Sequence, residues 1–194
     1  MTKGYRLTDE QYEYIKGEVC ALFVRLDVKC MPVSGFEIVS KLGITLIPYS
    51  SLSLRKRKLA MKISRDGFYL EDNENDFGKS YILYNDIGKS YERQNMTILH
   101  EVGHCILDHR GHSDEEEAEA KFFAKYAIAP PVLVDKIDPT CPDDIMDYFD
   151  LSYEAAWYAF DYYLNWKRFH YAYGSYKDYE RDLLKLYRRH KRLA

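Results

Sequence analysis

No stretch of this chain approaches the roughly 18 consecutive apolar residues of a transmembrane helix, so none is expected. Its opening, Met1-Thr2-Lys3-Gly4-Tyr5-Arg6, has no apolar core of the signal-peptide kind, and export is not expected either. Cysteine is scarce. Cys20, Cys30, Cys105 and Cys141 form no C-x-x-C pair, which excludes a zinc knuckle and a thioredoxin-like motif. Their scatter argues for free thiols in a reducing cytoplasm. Cys105 follows His104 directly and turns to the other side of a helix there, towards core packing. The chain also lacks an internal repeat and a low-complexity linker.

What is present suits one domain, or one domain with an appendage: 194 residues and an ordinary composition apart from 19 Tyr. Tyrosine favours half-buried and contact surfaces, because an apolar ring carries a polar tip. The net charge of −3 is uneven. From Lys167 to the end there are nine Lys/Arg against three Asp/Glu, a balance of +6 that leaves −9 for the rest. A basic tail on an acidic body could bind an acidic partner, nucleic acid or its own body, or be a solvated helix face.

One stretch carries chemistry. His100-Glu101-Val102-Gly103-His104 matches H-E-x-x-H, which on a helix makes a zinc site with its own general base. Residues i and i+4 share a helical face, so His100 and His104 can address one ion. Glu101 lies about 100° round the helix from His100, close enough to reach a water on that ion. Met96, Leu99, Val102 and Ile106 recur at helical spacing and predict a core helix from about Tyr91 to Asp108. Two histidines and a glutamate on such a helix are costly to desolvate unless something binds them. The bland alternative is a surface helix with two satisfied histidines.

Around it, Thr8 caps a helix expected to run to about Val28, with Tyr12, Ile15, Val19, Leu22, Phe23 and Leu26 as its stripe. A short helix follows from about Gly35 to Leu42, with Gly43 where a C′ glycine belongs. Ile44–Tyr49 and Ser80–Asn85 read as strands. Asp66-Gly67 is a hairpin-type dipeptide leading into Phe68-Tyr69-Leu70, and Asn73–Gly78 is a polar turn. The run Arg55-Lys56-Arg57-Lys58 fits a solvated face better than a nucleic-acid patch. Gly111 suits a helix stop. Ser113 with Glu116 forms a capping box for a helix from Asp114 to about Ile128, ended by Pro130-Pro131. From Pro142 to Lys167 the pattern is helix-turn-helix-like, with Ser152 as a cap. The absence of Arg/Lys until Lys167 favours packing or substrate docking there over DNA reading.

A catalytic zinc usually has three protein ligands and a water. The metzincin pattern fails, because Arg110 stands where its third histidine belongs and Leu107 where its glycine belongs. His109 and His112 are too close in sequence to fold back easily onto the face of His100 and His104. The next helix must pack on the first as an αα-hairpin. It offers Glu115, Glu116, Glu117 and Glu119. Glu116 has a local task in the capping box, and Asp114 and Glu115 suit the helix dipole. Glu119, beside Ala120 and one turn before Phe123, is expected as the third ligand, with Glu116 in reserve.

These residues resemble the ImmA/IrrE metallopeptidases. The likeness lies in His100-Glu101-Val102-Gly103-His104, then Glu119-Ala120-Lys121-Phe122-Phe123-Ala124, then Ala129-Pro130. It extends to Asp144–Ala156, where family members carry a short helix, a turn and a Ser-capped helix, and spans roughly Gly35 to Trp166. Lys121 stands where the family has Asn or Asp, and Tyr126-Ala127-Ile128-Ala129 replaces its leucine-rich end. The resemblance implies a Zn2+-dependent endopeptidase. Its ligands would be His100, His104 and Glu119, its base Glu101, and its substrate a helix-turn-helix repressor of a mobile element or stress regulon.

The expected fold is α+β and mainly helical. A zincin-like domain (1–130) would hold a small antiparallel or mixed sheet of about three strands before the H-E-x-x-H helix. A helix-turn-helix-like region (131–170) and a basic, Tyr-rich tail (171–194), a partner-binding or dimerisation arm, would follow. Two other readings belong to different classes: a regulatory protein with a purely structural metal site, and direct DNA binding through the tail.

Overall fold

The computed structural model describes residues 5–29, 31–72, 79–111 and 113–191. Cys30, the Asn73–Gly78 turn, His112 and the last three residues of the tail lie outside them. Among the described residues there are nine α-helices and three strands, which is the expected α+β class with a small mixed sheet. The chain divides into two compact units, one containing Ser34–Ala124 and the other containing Thr8–Val33 and Lys125 onwards.

The first unit holds the sheet. Its elements are α2 (Gly35–Leu42), β1 (Thr45–Pro48), α3 (Leu54–Ile63), β2 (Gly67–Asp72), β3 (Lys79–Tyr84), α4 (Tyr91–Ile106) and most of α5 (Asp114–Ile128). Here α1 is Asp9–Arg25, in the second unit. The strand order is β1-β3-β2, with β1 parallel and β2 antiparallel to the central β3. The register sets Leu46 against Ile82 and Tyr69 against Ile82. Ile82 is therefore central and fully buried. Tyr49, Ala60 and Phe68 pack together on this sheet with Leu52 and Leu83. Burying an aromatic ring such as that of Phe68 contributes about 1.5–3 kcal/mol.

Local chemistry explains the element ends. Ser34 Oγ caps α2, and Gly43 closes it at φ 72°, the left-handed region in which glycine is unstrained. The Gly35 N–H donates to Asn95 Oδ1 at 2.6 Å, tying α2 to a buried residue of α4. Asp66-Gly67 is not a hairpin turn. Ser64 Oγ accepts both of their N–H groups, and Gly67 starts β2. A β-carbon at Gly67 would lie 2.8 Å from the Leu83 carbonyl, so only glycine fits that crossing. Within the basic run, Arg57 donates to the carbonyls of Tyr49, Ser50 and Leu52 and braces the turn before α3. Arg55, Lys56 and Lys58 are exposed.

The second unit is helical: α1, the end of α5, α6 (Pro131–Val134), α7 (Pro142–Phe149), α8 (Tyr153–Tyr173) and α9 (Asp178–Lys191). A capping box from Thr8 to Gln11 starts α1, and Ser152 caps α8. Asp150, at φ 52°, makes the turn between α7 and α8. The tail helix α9 packs on α1 with Leu183, Leu184 and Leu186 buried, and Tyr179 donates to Glu13. The apolar side of the expected arm thus belongs to this unit's own core.

Candidate metal centre

Ser90 Oγ accepts the Arg93 N–H and begins α4. Ile98, Leu99 and Val102 are fully buried and fix its orientation on β2 and β3. This leaves His100 and His104 on one edge, with Nε2 atoms 3.2 Å apart. Helix α5 crosses at Gly103. A β-carbon there would stand 3.2 Å from the Ala120 backbone and from Phe123. The missing side chain lets the two helices close, and the residue three before Ala120 is then aimed at the histidines. That residue is Glu117. Its carboxylate oxygens lie 3.4 Å from His100 Nε2 and 3.5 Å from His104 Nε2. Two imidazoles and a carboxylate thus converge on one point. This is the one group among the described residues whose ligand atoms could hold a metal ion together. The Nε2–Nε2 separation matches the edge of a tetrahedron with metal–ligand bonds of about 2.0–2.1 Å, and each histidine has one oxygen of Glu117 at a similar distance. The residues present fit the group.

The electrostatics agree with that geometry. Burial lowers the His100 pKa, against the raising influence of Glu117, and so favours the neutral ring with its lone pair free. Glu101 is 6 % exposed. Burial first, then the charge of Glu117, push its carboxyl up to about 8, while a hydrogen bond from the Tyr69 backbone N–H pulls the other way. A cation between Glu117 and the histidines would counter the second of those pushes. Strand β2 therefore contributes to the site through its backbone.

Of the residues expected from sequence, His100 and His104 come together, and Glu101 lies on the same helix beside them. Glu119 stands elsewhere: its Oε2 is 3.0 Å from His109 Nε2, and His109 Nδ1 is 3.0 Å from His104 Nδ1. His109 folds back onto the Nδ1 side of His104 and, as expected, not onto the face that His104 shares with His100. Asp108 adopts φ 52° at the end of α4, and the His109 N–H donates to the His104 carbonyl at 3.0 Å. Asp108, not Gly111, turns the chain. Gly111 has another task, leaving room for Glu116, whose Oε2 would lie 2.8 Å from a β-carbon there. Glu116 accepts the N–H groups of Arg110, Gly111 and Ser113, and the capping box forms as expected. These donors hold its carboxyl down at about 2.

Glu117 was legible in principle. It shares a helical face with Ala120 and Ala124, and the small pair Gly103 and Ala120 marks where two helices can touch. Cys105 lies beside the Tyr69 hydroxyl, which also pairs with Ser80 Oγ at 3.0 Å. No helix among the described residues is long and apolar enough to cross a membrane.

No curated protein matches the chain. A family model of peptidase type, described as the IrrE N-terminal-like domain, matches residues 50–161, more than half of the chain. That span contains β2, β3, α4, α5 and every residue of the cluster, and it bears out the likeness read from the two motifs. A family of metallopeptidases implies a metal, and the described residues converge where one could sit. The chain belongs to the ImmA/IrrE family of metallopeptidases.

Proposed function

We propose that this protein is a zinc-dependent endopeptidase of narrow specificity, with His100, His104 and Glu117 as metal ligands and Glu101 as the base. The observation that carries this reading is the convergence of three side chains: the two Nε2 atoms are 3.2 Å apart, and the Glu117 carboxylate has one oxygen 3.4 Å from His100 and the other 3.5 Å from His104, with Glu101 on the same helix. Glu117 takes the role that the sequence offers to Glu119, because it is Glu117 that faces both histidines. Two neutral nitrogens and one carboxylate leave a fourth position open, as a catalytic zinc site requires and a closed structural site does not. When bound, zinc would acidify a water and polarise the scissile carbonyl.

The chain's own residues supply the rest. Glu101 takes the proton from the attacking water and later gives it to the leaving amine. A carboxyl pushed up towards neutrality by burial suits a group that must do both. The Tyr69 N–H anchors that carboxylate so that it does not wander between the two steps.

The substrate would be a cytoplasmic helix-turn-helix repressor, whose cleavage relieves repression. Family membership and the free thiols of Cys20, Cys105 and Cys141 support that setting. The test pairs metal analysis with incubation of the chain and a candidate repressor. The wild type should bind zinc and cut. Glu101→Gln should keep the zinc and lose cleavage by a factor on the order of 10²–10⁴. A zinc-loaded wild type that leaves the repressor intact under activating conditions sinks the peptidase reading.

A further inference from the structure

His109 and Glu119 are a partly buried pair that the proposed chemistry does not use. The His109 side chain is 6 % exposed and that of Glu119 is 18 % exposed. His109 sits between two partners, 3.0 Å from His104 on its Nδ1 side and 3.0 Å from Glu119 on its Nε2 side. The chain turns sharply at Asp108 to put it there. A buried imidazole bonded through both nitrogens has only a few proton arrangements open to it.

The direction of these bonds follows from their outer end. A carboxylate only accepts, so His109 Nε2 carries the hydrogen that meets Glu119. With one proton per ring, His109 Nδ1 is then bare and accepts. His104 Nδ1 must donate to it, and His104 Nε2 is left as a bare lone pair. That is the nitrogen that faces His100 and Glu117. The Glu119 carboxylate, two hydrogen bonds away, therefore selects the tautomer in which His104 can bind a metal.

We propose that His109 and Glu119 are positioning residues, a relay that fixes the tautomer and ring orientation of His104 for metal binding. The proposal rests on the reading of His100, His104 and Glu117 as the metal ligands. A metal-ligating histidine is commonly held this way by a carboxylate or carbonyl on its other nitrogen. Here the imidazole of His109 is interposed and carries the carboxylate's influence, with one nitrogen on Glu119 and the other on His104.

The test has two independent readouts. The first is long-range proton–nitrogen NMR on metal-free wild type labelled with ¹⁵N-histidine. Nδ1–H on His104 and Nε2–H on His109 are expected. His104 found with its proton on Nε2 overturns the relay, and no variant is needed for that result. The second is zinc affinity by chelator competition, with thermal melting of each metal-free variant as a folding control. His109→Phe keeps a ring and removes both nitrogens, and Glu119→Leu removes the acceptor. Each should bind zinc about 10–100-fold more weakly, the usual cost of losing such a partner. Glu119→Gln keeps an acceptor oxygen and should recover most of that loss. Unchanged affinity in His109→Phe and Glu119→Leu overturns the proposal. So does a Glu119→Gln that loses zinc as completely as His104→Ala while Glu117→Gln keeps it, since Glu119 would then be a ligand. A wild type that takes up no zinc sinks the metal-site reading instead, and the NMR result still decides the relay.

Discussion

Two helix starts in this molecule are built alike and do different things. At α5, Glu116 accepts three backbone N–H groups from Arg110, Gly111 and Ser113. At α7, Asp144 accepts the Thr140 and Cys141 N–H groups and the Thr140 hydroxyl, at 2.7, 3.2 and 2.9 Å. Hydrogen bonds from these donors hold both carboxyls below the usual range. Both starts carry further acid, Asp114, Glu115 and Glu117 in one and Asp143 in the other. A shallow cleft beside α7 is lined by Asp138, Asp144 and Asp147 together with Thr140 and Tyr148. Yet of the two, α5 is the one that converges with histidines among the described residues. Acid in a first turn is what the helix dipole and the free N–H groups favour anywhere. A metal site needs lone pairs brought from a second element, and the close crossing at Gly103 delivers them.

The largest expected effect tests that contrast directly. His104→Ala and Glu117→Gln each remove one donor of three, and zinc affinity should fall by well over the 10–100-fold typical of a supporting residue. Asp144→Asn and Asp147→Asn in the acidic cleft should leave it unchanged. Chelator competition on the four proteins reads both arms. A wild-type-like Glu117→Gln would detach α5 from the site.

Next in size is Gly103→Val. The new side chain meets the Ala120 backbone and Phe123 at contact distances too short to keep. Overpacking of this kind costs about 1–3 kcal/mol. Both the melting temperature and the zinc affinity should drop, because the histidines move away from Glu117. The equivalent change at Gly17, where an added β-carbon would meet nothing within 4 Å, should leave zinc binding alone. Loss of stability in Gly103→Val without loss of zinc would mean that the helix crossing does not set the site.

Much of this was legible because it is local. The capping box at Ser113, the αL glycine at Gly43 and the i, i+4 pair His100 and His104 each follow from a few adjacent residues. So does the α+β class, since the strand patterns and helical stripes are short-range. The choice between Glu117 and Glu119 was not local. It depends on the rotation of α5 about its axis, which the Gly103–Ala120 contact sets from another element. His109 was harder still. Its return to His104 needs a non-glycine residue, Asp108, in the left-handed region, and sequence reasoning gives that task to Gly111. The grouping of α1 with α9 rests on contacts between the two ends of the chain, about which periodicity is silent.

The smallest effects sharpen the comparison where the two starts are alike. Ser113→Ala removes the side-chain acceptor for the Glu116 N–H and should cost about 1 kcal/mol. The pH response of Glu116 has a definite sign. Its folded pKa, about 2, lies below the ordinary 4.5. The folded state therefore favours the carboxylate form more than the unfolded chain does. The stability this contributes is fully present above pH 4.5 and is lost as the pH falls through that value towards 2. Asp144 has the same sign below its ordinary 3.8. Melting metal-free protein across that range keeps zinc release out of the measurement. Glu116→Gln and Asp144→Asn should each flatten the acid side of the stability curve and leave the neutral side nearly parallel to the wild type. If Glu116→Gln flattens it and Asp144→Asn does not, the two starts differ in their capping as well as in what they face.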